Sequence, residues 1–294
     1  MKKYIFIALS AVLLTACSRF KNKDREENHQ TRIVCVSKQY NEIMFALGAQ
    51  KNLVAVDISS VYPPAIKKLP TVGYHRALSL EAVLASKPDL ILEEGPASMG
   101  PEHVVAQLKQ LKIPMKEFKT KATTIDSTKL LIQEMGAYFN KQVKVDSLCK
   151  KLDADMKTAL DNAKKYHHKP KVLVIHFGQA SNIYMVMSKK SLAAKIVEWA
   201  GGEMAVDDVK GMRQISAEVV AKSNPDVIVL TDFGYDRLGS AEKIGELPGA
   251  ASTKAFKNKQ IFRFEENDLV YFGPRTGENI LKMEKIIHND EQVQ

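Results

Sequence analysis

The stretch Val72-Gly73-Tyr74-His75-Arg76 sets a phenol, an imidazole and a guanidinium in a row. A deprotonated phenol is a hard anionic donor that suits ferric iron. Free tyrosine loses its proton only near pH 10, so that role needs a metal and a nearby cation to favour the phenolate. Arg76, two residues on, is placed to give that support, and His75 either to orient Tyr74 or to replace it. The plainer reading is that Tyr74 plugs the edge of a lobe, and the residues alone favour it. His176 is a second candidate donor, ending the apolar run Val172-Leu173-Val174-Ile175. Open α/β sheets place ligands at that carboxyl end, although a lone histidine is more often structural. Met187 is a weaker thioether candidate. His167 and His168 fall at a helix end, where solvent and the helix dipole explain them. His29, His103 and His288 have no convincing metal partners. The histidines lack the carboxylate company of a zinc or manganese receptor. The sequence has no Gly-x-Ser-x-Gly elbow, Walker A loop or Gly-x-Gly-x-x-Gly turn after a strand.

A segment that occurs twice positions these residues. Ser79-Leu80-Glu81-Ala82-Val83 leads to Ser86-Lys87-Pro88-Asp89-Leu90-Ile91-Leu92, and Ser216-Ala217-Glu218-Val219-Val220 leads to Ser223-Asn224-Pro225-Asp226-Val227-Ile228-Val229. Each copy predicts a helix with a serine N-cap, a break at proline and a buried strand. One repetition at this distance implies two similar lobes with a cleft between them. Strands are predicted at 32–36, 53–57, 90–93 and 115–118, alternating with helices at 40–47, 80–85, 102–111 and 127–139. The second lobe has strands at 171–176, 183–187, 226–230 and 260–264, and helices at 192–200, 217–221 and 276–287. This alternation gives an α/β class with two doubly wound, Rossmann-like lobes. Val145, Leu148, Leu152, Met156, Leu160 and Ala163 lie on one face of a single long helix, N-capped near Asp146, that bridges the lobes.

Lys2 and Lys3, the apolar stretch from Tyr4 to Leu14, and Leu14-Thr15-Ala16-Cys17 read as an export signal, too short to span a bilayer. Leu-Thr-Ala-Cys resembles a bacterial lipobox, which implies cleavage before Cys17 and lipidation of its thiol. The charged segment 18–30 then reads as a tether. The expected division is a signal at 1–16, a lipidated tether at 17–30, a first lobe at 31–142, the bridging helix at 143–168 and a second lobe at 169–294. Net charge is +9, which suits an anionic ligand or membrane surface. Without a basic stripe interleaved with aromatics, nucleic acid is not an expected partner. Cys35 lies in an apolar run and Cys149 on a helix, so no disulfide framework is expected.

The chain resembles the solute-binding proteins of ABC importers for haem, cobalamin and ferric siderophores. The features that carry this are Arg32-Ile33-Val34, Asn41-Glu42-Ile43 through Ala46-Leu47-Gly48, Tyr62-Pro63, both Pro-Asp-strand units and Leu247-Pro248-Gly249. Val72-Gly73-Tyr74-His75-Arg76 with Leu78-Ser79, and Phe272-Gly273-Pro274-Arg275-Thr276, bring it nearest the haem-binding branch. The resemblance implies a monomeric receptor, lipid-anchored outside the cytoplasmic membrane, that delivers haem to an ABC permease. Tyr74 is then the expected iron ligand, with His176 opposite. Lys38, Arg76, Arg213 and Arg275 are candidate partners for propionates. Tyr62, Phe177 and Tyr271, with Tyr40, Tyr235 and Phe272, are candidate stacking residues. Glu102 and Glu242 match the family's permease-docking glutamates. Cobalamin or a ferric siderophore in the same fold, an exported enzyme, and a haem-storage or chelatase lipoprotein are the alternatives.

Overall fold

Short apolar runs bounded by proline, aspartate and glycine become strands. In a computed structural model, residues 31–179, 181–208 and 210–289 are described, so the signal, Cys17 and the tether lie outside the described residues. In the first half these strands are β1 (Ile33–Cys35), β2 (Leu53–Val56), β3 (Gly73–Tyr74), β4 (Ala77–Leu78), β5 (Leu90–Leu92) and β6 (Met115–Lys116). Four of them make a parallel sheet in the order β2-β1-β5-β6. In the second half they are β7 (Lys171–Gly178), β8 (Ile183–Met187), β9 (Glu203–Met204), β10 (Met212–Gln214), β11 (Val227–Thr231) and β12 (Ile261–Phe264). Their order is β10-β8-β7-β11-β12, with β9 beside β7. β7, β11 and β12 run parallel, whereas β8 is antiparallel to both neighbours, so this sheet is mixed. β1, β5 and β11 are buried along their whole length, as strands covered by helices on both faces must be.

The repeated segment builds the same local device in each lobe. Ser79 caps the Leu80–Ala85 helix and Ser216 the Ala217–Ser223 helix, each hydroxyl accepting a backbone N–H. Each aspartate then latches the start of its lobe's first strand. Asp89 accepts the N–H of Arg32 at 2.8 Å, and Asp226 that of Lys171 at 2.9 Å. The backbone N–H of each aspartate returns a bond to the carbonyl of the same partner.

The long helix spans Gln142–Ala163, 22 residues, or about 33 Å. It starts before the expected cap at Asp146, because Asn140 takes a left-handed φ of 55° and turns the chain sharply out of the Ile125–Tyr138 helix. Lys141 therefore holds the cap position and gives no side-chain cap. The buried face is Val145, Leu152, Met156 and Ala159. One apolar cluster runs along it, from Ile33 and Leu92 in the first lobe to Val174 and Ile280 in the second.

The helix Thr276–Ile287 packs closely against the long helix at Gly277. A Cβ there would lie 2.9 Å from the backbone of Asp155 and Met156. Gly277→Ala should lower stability by about 1–3 kcal/mol despite the better helix propensity of alanine. The urea midpoint checks this, and a raised midpoint would mean that the two helices separate freely.

Candidate functional site

Tyr74 stands at the mouth of a two-residue turn, not in an open loop. β3 and β4 pair antiparallel, with Tyr74 opposite Ala77, so His75 and Arg76 form the tip. Gly73 permits this, with φ of 91° and no room for a Cβ against the Ala77 carbonyl. The hairpin hangs from β2 through the Ile58 N–H, which donates to Gly73 at 3.0 Å. Ile58 itself is 55% exposed and gives the rim an apolar face.

Burial raises the Tyr74 phenol above its ordinary range, while Lys38 and Arg76 pull it back down. Tyr271, from the second lobe, is buried more deeply and pushed up further, with Glu94 and Glu266 adding to the effect of burial. Lys38, Arg76, His75 and Tyr271 line one small cavity of about 100 Å³. A larger one, about 410 Å³, lies between Tyr62 and Lys67 of the first lobe and Phe233, Asp236 and Asn267 of the second.

His176 lies inside β7, since the strand continues two residues further, to Gly178, through pairing with β8. Burial lowers its pKa below the ordinary histidine value, so the ring is neutral near pH 7. Its Nδ1 faces Glu266 Oε2 at 3.6 Å, too long for a hydrogen bond, and neither atom has another partner. Glu266 meanwhile accepts from Lys38 Nζ at 2.8 Å, an ion pair between lobes with both side chains under 10% exposed. The Lys38 ammonium also stands 5.8 Å from the Phe233 ring and 5.9 Å from that of Tyr271. Beneath Glu266, its backbone N–H donates to Asp232, whose carboxyl burial pushes up to about 6.

Arg275 makes a second tie between the lobes. Its Nε and Nη2 donate to the two Glu42 oxygens at 3.1 and 3.0 Å, and Nη2 donates to Asp268 at 2.7 Å. Burial works against the guanidinium charge, but Glu42 and Asp268 outweigh it and push its pKa up. Asn267 adds a bond to Glu42 at 2.8 Å, and the Tyr62 ring lies 3.5 Å from the guanidinium. These carboxylates offset the unfavourable dipole of a cation at a helix start.

The other candidates are dispersed. Phe177 is buried against Tyr184 and under Arg237. Tyr40 is fully buried against Phe118, and Phe272 packs on Trp199, so neither presents a face to the cleft. Tyr235 is partly buried against its own lobe's core. Arg213 pairs with Asp208 on the edge strand β10, in a separate surface pocket with Glu218 and Lys222. Of Lys38, Arg76, Arg213 and Arg275, only Arg76 has no carboxylate partner among the described residues. Glu102 is exposed in the first turn of the Glu102–Gln110 helix, and Glu242 is exposed at a short turn. Sequence reading missed Phe233, which falls in no predicted element, and Glu42, Asp57, Glu266 and Asp268, because isolated acids carry no spacing signal. One legible sign is position, since Asp57 directly follows a strand end and Glu266 opens the helix after one.

With fold and cleft in view, the family is plain: the chain belongs to the periplasmic binding proteins, whose family model matches residues 33–267. The prokaryotic membrane lipoprotein lipid attachment site matches residues 1–18, which includes Cys17. This is therefore an exported, membrane-anchored substrate-binding protein of an ABC transporter, a class that works with a membrane permease. No helix of the described residues is long and apolar enough to cross a membrane. The chain is 25% identical, over 88% of its length and 80% of the relative's, to the uncharacterized ABC transporter substrate-binding lipoprotein YvrC of Bacillus subtilis (strain 168). It is 28% identical to the vitamin B12-binding protein of Pectobacterium atrosepticum, over 78% of this chain and 77% of that one. Among solved structures, the periplasmic heme-binding protein RhuT from Roseiflexus sp. RS-1 superposes with a TM-score of 0.79 at 27% identity, covering 90% of this chain and 100% of that one. The periplasmic heme-binding protein BhuT, in complex with two hemes, gives 0.75 at 25% identity, covering 88% and 98%.

Breaking the Arg275 tie tests how the lobes are held. Arg275→Ala should cost about 3–5 kcal/mol, because it strands buried Glu42 and Asp268. Arg213→Ala, at an exposed pair, should cost less than about 1 kcal/mol. Urea unfolding of both variants decides it, and equal effects would deny the tie any special weight.

Proposed function

We propose that this receptor captures haem in the cleft between its lobes and hands it to the permease, with the Tyr74 phenolate as the principal iron ligand. The observation that carries the reading is Tyr74 itself: a partly buried phenol beside a cavity, with Lys38 and Arg76 close enough to favour its anion. His176 is the opposing donor, with its pKa lowered by burial. Arg76 is the cation open to a propionate, and Lys38, held by Glu266, lines the same cavity. Ile58, Tyr271 and Tyr62 supply apolar and aromatic surface. Haem-binding neighbours of the same fold support the reading. Glu102 and Glu242 are the proposed permease contacts, and Cys17 the lipid anchor.

An absorption titration with ferric haem tests the ligand. Wild type should saturate with a phenolate charge-transfer band. Tyr74→Ala should lose that band and weaken binding by more than the ~10–100-fold that outer partners of a ligand cost. Because binding expels the phenol proton, affinity should rise about tenfold per pH unit below the phenol pKa and fall in acid. Unchanged binding in Tyr74→Ala would move the iron ligand elsewhere. The vitamin B12-binding relatives favour a second reading, cobalamin in the same cleft. There the cobalt arrives with its own nitrogen donors, so Tyr74→Ala would leave affinity intact and cobalamin would saturate where haem does not.

Docking has its own test. Glu102→Lys should abolish ligand uptake by cells while leaving binding by the isolated protein unchanged. Normal uptake would remove Glu102 from the permease contact.

A further inference from the structure

The hairpin tip that carries Tyr74 carries another donor, and the fold prepares it. Asp57, just past β2, is fully buried. Its Oδ1 accepts the N–H of Ser59 at 2.7 Å and the Ser59 hydroxyl. Its Oδ2 accepts the backbone N–H of His75 and lies 3.0 Å from Nδ1 of the same ring. With the carboxylate accepting, Nδ1 carries a proton, and in the neutral ring the lone pair is then on Nε2. No group among the described residues hydrogen-bonds to Nε2. The ring leans on Tyr74, with centroids 4.1 Å apart and planes at 48°. Its side chain is 16% exposed and lines the cavity of Lys38, Arg76 and Tyr271. A carboxylate behind one ring nitrogen is how proteins fix the tautomer and aim of a metal-binding histidine.

We propose that His75 is a second iron donor in this cleft, one that holds the ferrous state. This rests on haem being the ligand. A phenolate suits ferric iron, and its advantage shrinks when one electron lowers the metal charge. A neutral imidazole serves both oxidation states. When an external one-electron reductant such as dithionite converts Fe(III) to Fe(II), the iron–phenolate bond breaks, the freed Tyr74 phenolate takes a proton from water, and the adjacent His75 imidazole forms the new bond to iron. The hairpin thus keeps haem in the cleft when a reductant reaches it, and Asp57 acts as a positioning residue that aims the imidazole.

The test uses the mature protein, ferric haem and dithionite under anaerobic conditions. Wild type should retain haem on reduction, and resonance Raman spectra should show an iron–imidazole stretch that persists in His176→Ala. In His75→Ala the ratio of ferrous to ferric affinity should fall at least tenfold and the stretch should vanish. Tyr74→Phe should raise that ratio. Asp57→Asn, which keeps the shape of the side chain, should broaden or shift the stretch without removing it. Release of haem by wild type on reduction, or an unchanged ratio in His75→Ala, overturns the proposal and leaves ferric capture by Tyr74 standing. Failure of wild type to bind haem in either state overturns both.

Discussion

Charge buried between the two lobes is the constraint on which the rest depends. Lys38 and Glu42 are one helical turn apart on the Lys38–Leu47 helix, and each reaches across to the second lobe. Lys38 meets Glu266, and Glu42 meets Arg275, which also holds Asp268. Separating the lobes by a few ångströms would leave these charges short of partners in a poorly hydrated seam, at a cost of several kcal/mol. Two ties of opposite sign along one helix face also fix register, since sliding by a turn would set like charges together. Cleft width and the relation of Tyr74 to His176 and Tyr271 follow from that register.

The cleft chemistry then follows from where parallel strands end. Ser37, Asp57 and Glu93 follow β1, β2 and β5, while Asp232 and Glu265 follow β11 and β12. Backbone N–H groups left unpaired at those ends favour acidic and hydroxyl side chains. The cleft is accordingly rich in carboxylates, and most of its cations serve to balance them. That explains why positive residues near the cleft are poor guides to a ligand. The informative groups are those left over, the Arg76 guanidinium and the Tyr74 phenol.

Much of this architecture was legible in the residues. The strand at 183–187 and the helices at 80–85 and 276–287 have the bounds that the apolar periodicity predicts, and the repeated Ser…Pro-Asp unit reveals both lobes. Short elements were not legible. Gly73–Tyr74 and Ala77–Leu78 are too brief for any period to show, and Asp232–Leu238 and Glu266–Val270 lack an apolar face. At the site, types were readable and partnerships were not. Arg275 was conspicuous as a cation at a helix start, yet its compensation comes from Glu42, far away in sequence. Tyr40 and Phe272 illustrate the converse, since an aromatic beside a predicted loop is as well placed to face inward as outward.

The paired aspartate latches have a consequence for how such proteins diversify. Asp89 and Asp226 each close the first strand of their own lobe, using backbone groups on the side of the sheet away from the carboxyl ends. Each sheet is therefore pinned at one end of its strands, while the opposite end carries the cleft. Substitutions at the cleft end leave the latch untouched, so its loops are free to drift under selection for a new cargo. A scaffold divided in this way is evolvable: one end conserves the shape, and the other is available for chemistry.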